Sequence, residues 1–287
     1  MPARPGRGDP LPLRWLIGVE LARHRNAAGL SMAQVSELVG MTKAKLGNME
    51  TGRQTQSAAD IGSLLTAYRV ERDDIDRLVA LTERADEAAW WTGAAGAVPD
   101  WFRTFAGLER IATREFVYEP TIINGLLQTA EYAREVSSAS ILVSTADVER
   151  VVALRLARAE RLNDPDEPLQ LHVVLAEAAL HLRVGDADMR REQLAYLVEA
   201  ARRPNVTIQV IRPDGGYHSA HQGRFFLLDF AEVRTIGYVE TIDGAVYLQD
   251  PDHVGTCELI ASQLAHVALD PDRSVDLIST MAAEPTD

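Results

Sequence analysis

From Leu13 onward, apolar side chains recur every three or four residues, the spacing that turns one face of an α-helix inward. Trp15, Val19 and Ala22 mark a first helix that ends near Gly29. Ser31 and Gln34 stand at the spacing of a capping box: the serine hydroxyl takes the amide three residues on, and the glutamine reaches back to the cap. This second helix stops at Gly40, a residue suited to the left-handed position after a helix. Thr42 caps a third helix that runs through Glu50 and is closed by Gly52. Ser57 caps a fourth, whose Ile61, Leu64, Leu65 and Tyr68 share one face. A fifth is predicted over Asp73–Glu87, with Ile75, Leu78, Val79 and Leu81 inward. In the second and third helices, Val35, Leu38, Val39, Leu46 and Met49 are packing positions.

Further along, the pattern predicts helices over Trp101–Phe116, Gly125–Val136 and Thr145–Asn163, with Pro120 breaking the chain between the first two. After Pro168 the texture changes. Leu171–Leu175 and Val206–Ile211 read as strands flanking a helix at Asp186–Arg202, a unit long enough for a parallel pair with a right-handed crossover. Gly223–Phe230, Thr235–Glu240 and Ala245–Gln249 follow at short intervals and predict an antiparallel meander, its last turn at Asp243–Gly244. Helices near 252–268 and 273–282 close the chain. The predicted organisation is a disordered lead-in (1–12), a mainly α five-helix domain (13–88) and a linker (89–100) rich in Gly and Ala. An α+β domain (101–287) with a small mixed sheet of about five strands follows.

The formal net charge of −13 looks wrong for a nucleic-acid binder, but its distribution changes the picture. Residues 1–70 hold nine Lys/Arg against five Asp/Glu, whereas residues 71–287 hold 20 against 37. A basic module on an acidic body fits a DNA reader whose larger domain does not touch DNA; ordinary fluctuation along an acidic chain gives the same count. A single cysteine, Cys257, excludes an intrachain disulfide framework and a cysteine-built zinc site. No apolar run approaches the roughly 20 residues of a membrane helix, and the N-terminus lacks the apolar stretch of a signal peptide, so the cytoplasm is the expected compartment.

Two helices joined at Gly40 can lay the second in the major groove while the first crosses the DNA backbone. The residues then meeting base edges are Thr42, Lys43, Ala44 and Lys45, with Asn48 one turn on. Lysine donates to guanine O6/N7, asparagine pairs with adenine N6/N7, and the Ala44 methyl suits a thymine methyl. Gln34, Arg53 and Gln54 are placed for phosphate contacts.

These residues carry a resemblance. The stretch 29–53, GLSMAQVSELVGMTKAKLGNMETGR, resembles the Cro/phage-repressor (XRE) class of helix-turn-helix, including its packing positions and its Glu-x-Gly closing turn. Three positions depart from the class. Met32 stands where Gln is frequent, Gly47 where Ser is usual, and Asn48 where Arg or Lys is common. Each lowers the expected grip on DNA, and a helix bundle that keeps the fold without binding DNA is the alternative. Residues 119–133, EPTIINGLLQTAEYA, resemble the PGLLQTxEYA signature of an actinobacterial regulator family, with Asn124 in place of the usual proline. The arginine-rich helix Glu149–Arg161, Leu175–Leu180, Gln193–Leu197, Pro204–Val210, Gly223–Leu228 and Tyr238–Glu240 extend the match. That family, which includes the WhiJ-like proteins of Streptomyces, joins a Cro-type reader to a domain long described as of unknown function. Its genes commonly neighbour those of small BldB-like proteins, and some members are antitoxin-like. The resemblance implies a regulator of development or antibiotic production.

Other chemistry is sparse. His218 and His221 could be metal ligands, but no nearby cysteine or acidic cluster completes a site, and a solvated loop is the plainer reading. Glu177 and Glu240 sit at strand ends and either share a pocket or serve surface roles. Arg150, Arg155, Arg158 and Arg161 interleave with Glu149 and Glu160 and read as a charged helix face. Trp90, Trp91 and Trp101 read as packing near the linker. No nucleophile, metal or phosphate signature supports an enzyme, and no cofactor is implied. The leading expectation is a cytoplasmic repressor bound as a homodimer to a palindromic operator in double-stranded DNA, its acidic domain taking a small BldB-like partner or a signal. The alternative is an antitoxin-like module that masks such a partner, with DNA binding only autoregulatory.

Overall fold

A computed structural model describes residues 12–84, 97–221, 223–231 and 233–284. The expected lead-in at 1–11, most of the expected linker, Trp90, Trp91 and the end of the fifth helix beyond Arg84 lie outside them. The chain divides into two compact units: described residues of 1–90 with 100–108 and 231–234, and described residues of 91–99 with 109–230 and 235–287.

The first unit holds α1 (Pro12–Ala27), α2 (Met32–Val39), α3 (Lys43–Glu50), α4 (Ala58–Ala67) and α5 (Arg72–Arg84). Local chemistry sets the breaks between them. Ser31, Thr42 and Ser57 each accept the amide three residues on, and Ser31 with Gln34 closes both halves of the capping box. Gly29, Gly40 and Gly52 supply left-handed turns, with φ near +67° at each. Ile17, Leu21, Val35, Leu46, Met49, Ile61, Leu64 and Leu65 are fully buried in one core. Leu38 is not: it is 64 % exposed, turned off the α2 face on which Val35 and Val39 pack into the core.

In the second unit, strands order β3-β2-β1-β4-β5-β6 in one sheet. They are β1 (Arg114–Glu119), β2 (Gln170–Ala176), β3 (Val206–Ile211), β4 (Phe225–Asp229), β5 (Ile236–Glu240) and β6 (Ala245–Leu248). The β1/β2 and β2/β3 pairs are parallel; β1/β4, β4/β5 and β5/β6 are antiparallel. The crossover and the meander are therefore as expected, but the sheet has six strands. The additional one is β1. A helix over Trp101–Phe116 is expected from the pattern, yet α6 (Asp100–Ile111) stops early and 114–119 is the strand that joins the parallel half to the antiparallel half. A single helix over Gly125–Val136 is also replaced. A short 3-10 turn capped by Asn124 precedes α7 (Ala130–Ala139), which Thr129 caps.

The remaining helices are α8 (Val148–Ala159), α9 (Glu177–His181), α10 (Ala187–Ala200), α11 (Pro251–Val267) and α12 (Pro271–Ala283). Strand alternation assigns the two faces of β1. Phe116 and Tyr118 join Val174, Phe225, Leu227 and the α11 residues Val254, Ala261 and Leu264 in one core. Glu115, Val117 and Glu119 point the other way and are buried. Edge strand β3 is blunted: Ser274 accepts from the Val210 amide, and the Leu269 amide donates to the Val210 carbonyl.

Candidate nucleic-acid interface

The placement of α3 rests on a backbone contact that only glycine allows. A Cβ on Gly18 of α1 would lie 2.5 Å from the Glu50 carbonyl oxygen and 2.7 Å from that of Met49. A Cβ on Gly52 would lie 2.8 Å from Trp15 Cα, at a φ of +67° that already favours glycine. Two side chains secure this approach. Arg25 donates from Nε and Nη2 to the two oxygens of Glu50, at 2.7 and 2.9 Å, and from Nη1 to the Leu30 carbonyl. Both partners are largely buried, so this bidentate pair is stronger than a surface salt bridge. The hydrogen bond to Glu50 raises the Arg25 pKa. Gln56 Nε2 donates to the Met49 and Arg14 carbonyls, tying the end of α3 to the start of α1. Nearby, burial first and the Glu50 charge second push the Tyr68 hydroxyl up to about 12.

On this frame, Thr42, Lys43, Ala44 and Asn48 of α3 are exposed, as are Arg53 and Gln54 in the following loop and Gln34 in the first turn of α2. The Gln34 carbonyl oxygen is occupied by the Ser31 amide and hydroxyl, so its side-chain NH₂ is the donor left for a phosphate. Lys45 differs from the others. Its Nζ lies 2.9 Å from Asp60 Oδ1, in the first turn of α4. The pair is partly exposed, and such pairs are worth under about 1 kcal/mol, so an incoming phosphate competes with it. Met32 packs against the domain core, which accounts for an apolar residue at a position where the resembled class often has Gln. Gly18, Arg25 and Gln56 carry no signal in a helical pattern, because their roles lie in contacts between helices. Only Glu50 is marked, by the Glu-x-Gly turn.

The arginine-rich helix departs from its expected solvated face. Arg158 is buried and donates from Nε and Nη2 to both oxygens of Glu109, each at 2.6 Å. Arg155 donates to Gln128, and burial, together with Arg158 and Arg224, lowers its pKa to about 10. Arg150, paired with Asp147, sits nearer solvent, whereas Arg161, paired with Asp164, is mostly buried and also donates to the Ala112 and Glu167 carbonyls. Beneath α8, Glu115 is fully buried, and burial first, then the Glu109 charge, holds its carboxyl well above the ordinary range. Glu119 is raised to about 7, chiefly by burial against the opposing pull of Arg224. Arg224 bridges Glu119, at 3.5 Å, and Glu240.

Glu240 is thus grouped with Glu119, not with Glu177. Glu177 follows β2 and pairs with His181 and Arg212, and strands β1 and β4 lie between β2 and β5. His218 is buried against Tyr118, with Nε2 3.4 Å from the phenol oxygen, so the expected solvated loop is packed at this residue. Among the described residues, no three His, Cys, Asp or Glu side chains are gathered to hold a metal ion. No helix among them is long and apolar enough to cross a membrane.

Residues 16–78 match the model of a helix-turn-helix domain, in agreement with the geometry of α1–α5. No curated protein and no solved structure matches the chain. Residues 102–280 match the model described as Domain of unknown function (DUF5753). Because that match spans more than half of its length, the chain belongs to the DUF5753 family and carries a helix-turn-helix domain at its N-terminal end.

Proposed function

We propose that this helix-turn-helix, DNA-binding regulator represses transcription by inserting the first turns of α3 into the major groove of double-stranded DNA. The observation that carries this reading is the single exposed surface formed by Thr42, Lys43, Ala44 and Asn48, held rigid by Gly18, Gln56 and the Arg25–Glu50 pair. Lys43 and Asn48 read bases, while Gln34, Arg53 and Gln54 hold phosphates. A helix of eight residues buries little DNA surface, so the chain binds a palindromic operator as a homodimer. It works in the cytoplasm, needs no cofactor and is not an enzyme. The acidic DUF5753 domain takes a small partner protein, of the BldB-like kind that the resemblance implies, and so regulates when DNA is bound.

The test is a fluorescence-anisotropy titration of promoter DNA across a salt series. Lys43→Ala should weaken operator binding by about 1–3 kcal/mol and relax its preference over unrelated DNA, whereas Arg53→Ala should weaken binding on all sequences and lower the salt slope by about one. An operator preference unchanged by Lys43→Ala would remove α3 from the interface.

The engagement of Lys45 by Asp60 favours a second reading, in which DNA contact is weak and masking of the partner is the main task. Tight partner binding with no shifted DNA around the gene would select it.

A further inference from the structure

A cleft of about 220 Å³ opens in the second unit where the start of β1 and the end of β4 meet α11. We propose that it binds a small primary amine with an apolar body, a ligand role separate from DNA recognition. The floor is apolar, made by Phe116, Leu227 and Ala261. Its polar groups are few and their roles are fixed.

His172 lines one wall, and its Nε2 lies 2.7 Å from Gln209 Oε1. The Gln209 NH₂ donates to the Ala265 and Leu269 carbonyls, at 3.1 and 2.9 Å, so its oxygen must accept. The hydrogen on His172 is therefore on Nε2, and Nδ1 is left as a bare acceptor. Burial keeps this ring neutral by lowering its pKa, and Arg114 adds to that effect. At the rim Arg114 and Asp229 neutralise each other at 2.6 Å, and the other Asp229 oxygen is taken by the Thr235 hydroxyl. What remains is Glu258, an exposed carboxylate on α11 at the mouth. The charged groups around the cleft are thus one balanced pair and one anion. An ammonium group meets the surplus charge and donates to the histidine acceptor, while its hydrocarbon part covers the ring of Phe116. A carboxylate would meet Glu258 with like charge and find Arg114 already engaged.

The test uses the full-length protein and three probes of one shape, titrated by calorimetry: 2-phenylethylamine, the neutral 2-phenylethanol and the anionic 3-phenylpropionate. For a ligand of about nine non-hydrogen atoms, saturable amine binding with a Kd of about 1 mM is expected. The alcohol should bind about five- to tenfold more weakly, and the carboxylate not at all. Glu258→Gln should cost the amine that same factor and leave the alcohol unchanged. Ser262→Trp, at an exposed position on the cleft wall, should abolish binding of both without unfolding the chain. The proposal is overturned by no saturation up to about 20 mM, by a carboxylate that binds as well as the amine, or by amine binding that Ser262→Trp leaves intact. None of these outcomes bears on α3, since DNA is absent from the assay.

Discussion

Two glycine-to-alanine substitutions in the first unit should shift its stability in opposite directions. Gly47 lies inside α3, and a Cβ there would have no heavy atom within 4 Å. Gly47→Ala therefore adds helix propensity without a clash and should stabilise the unit by about 1 kcal/mol, or roughly 4–8 °C in its unfolding temperature. Gly18 gains the same propensity in α1, but its methyl would stand 2.5 Å from a backbone oxygen of Glu50. A backbone carbonyl at a helix end cannot swing aside as a side chain can. The helices must separate by about 1 Å, and overpacking of this kind costs about 1–3 kcal/mol. The separation also stretches the Arg25–Glu50 pair and the two Gln56 hydrogen bonds, which span the same junction. The net effect of Gly18→Ala should be a loss of about 2 kcal/mol. With two units in the chain, a single melting curve mixes their responses. Hydrogen exchange read by mass spectrometry on peptides from 12–57 isolates the relevant amides. Faster exchange in Gly18→Ala and slower exchange in Gly47→Ala is the expected pair of results. Equal or same-signed changes would refute the claim that backbone contact at Gly18 sets the position of α3.

Glu119, with its pKa raised to about 7 from an ordinary 4.5, binds its proton more tightly in the folded state. Its contribution is fully present below pH 4.5 and is lost as pH rises towards 7, a span worth about 3 kcal/mol. Glu119→Gln should therefore gain on the wild type across that window in urea titrations, whereas parallel curves would show that the carboxyl is ionised throughout. Asp60→Asn should release Lys45 and steepen the salt dependence of DNA binding by up to about one unit, with tighter binding at low salt. A slope identical to the wild type would place Lys45 off the DNA. Leu38→Ser should change stability by less than about 0.5 kcal/mol, because the side chain is exposed, while Val35→Ala should cost several times more. A large loss at Leu38, measured by the same exchange experiment, would return it to the core.

What could be read from the sequence was whatever neighbouring residues decide. The capping box at Ser31, the caps at Thr42 and Ser57 and the left-handed turns at Gly40 and Gly52 are interactions within a few residues, and each appears in the structure. The exposed face of α3 follows from them, so most of the candidate interface was legible too. The exceptions depend on distant partners. Lys45 is turned towards Asp60, 15 residues on. Arg158 repeats with helical spacing and looks solvated, but its partner Glu109 is 49 residues away. Strand β1 was hidden for a related reason. Glu115 and Glu119 put carboxyls on a buried strand face, so the segment REFVYE lacks the apolar run expected of a central strand and extends the preceding helical pattern instead.

That exception alters how the net charge bears on function. The arginines of α8 include two turned inward, where Arg158 neutralises Glu109 and Arg155 lies beside Glu119. Among the buried carboxyls, burial and the Glu109 charge hold Glu115 well above the ordinary range, which favours its neutral form. Interior groups therefore compensate one another, and the excess of acidic over basic residues in 71–287 is carried by the surface. An acidic surface of this kind repels DNA at a range of about one Debye length, roughly 8 Å at physiological salt, and attracts a basic partner over the same distance. The two effects oppose each other in one respect. A basic partner that covers the acidic surface removes the repulsion and so should strengthen DNA binding at low salt, unless it also covers α3. Whether such a partner tightens or releases the operator thus separates a co-repressor from an antitoxin-type complex, and the sign can be read in one anisotropy titration with the partner added.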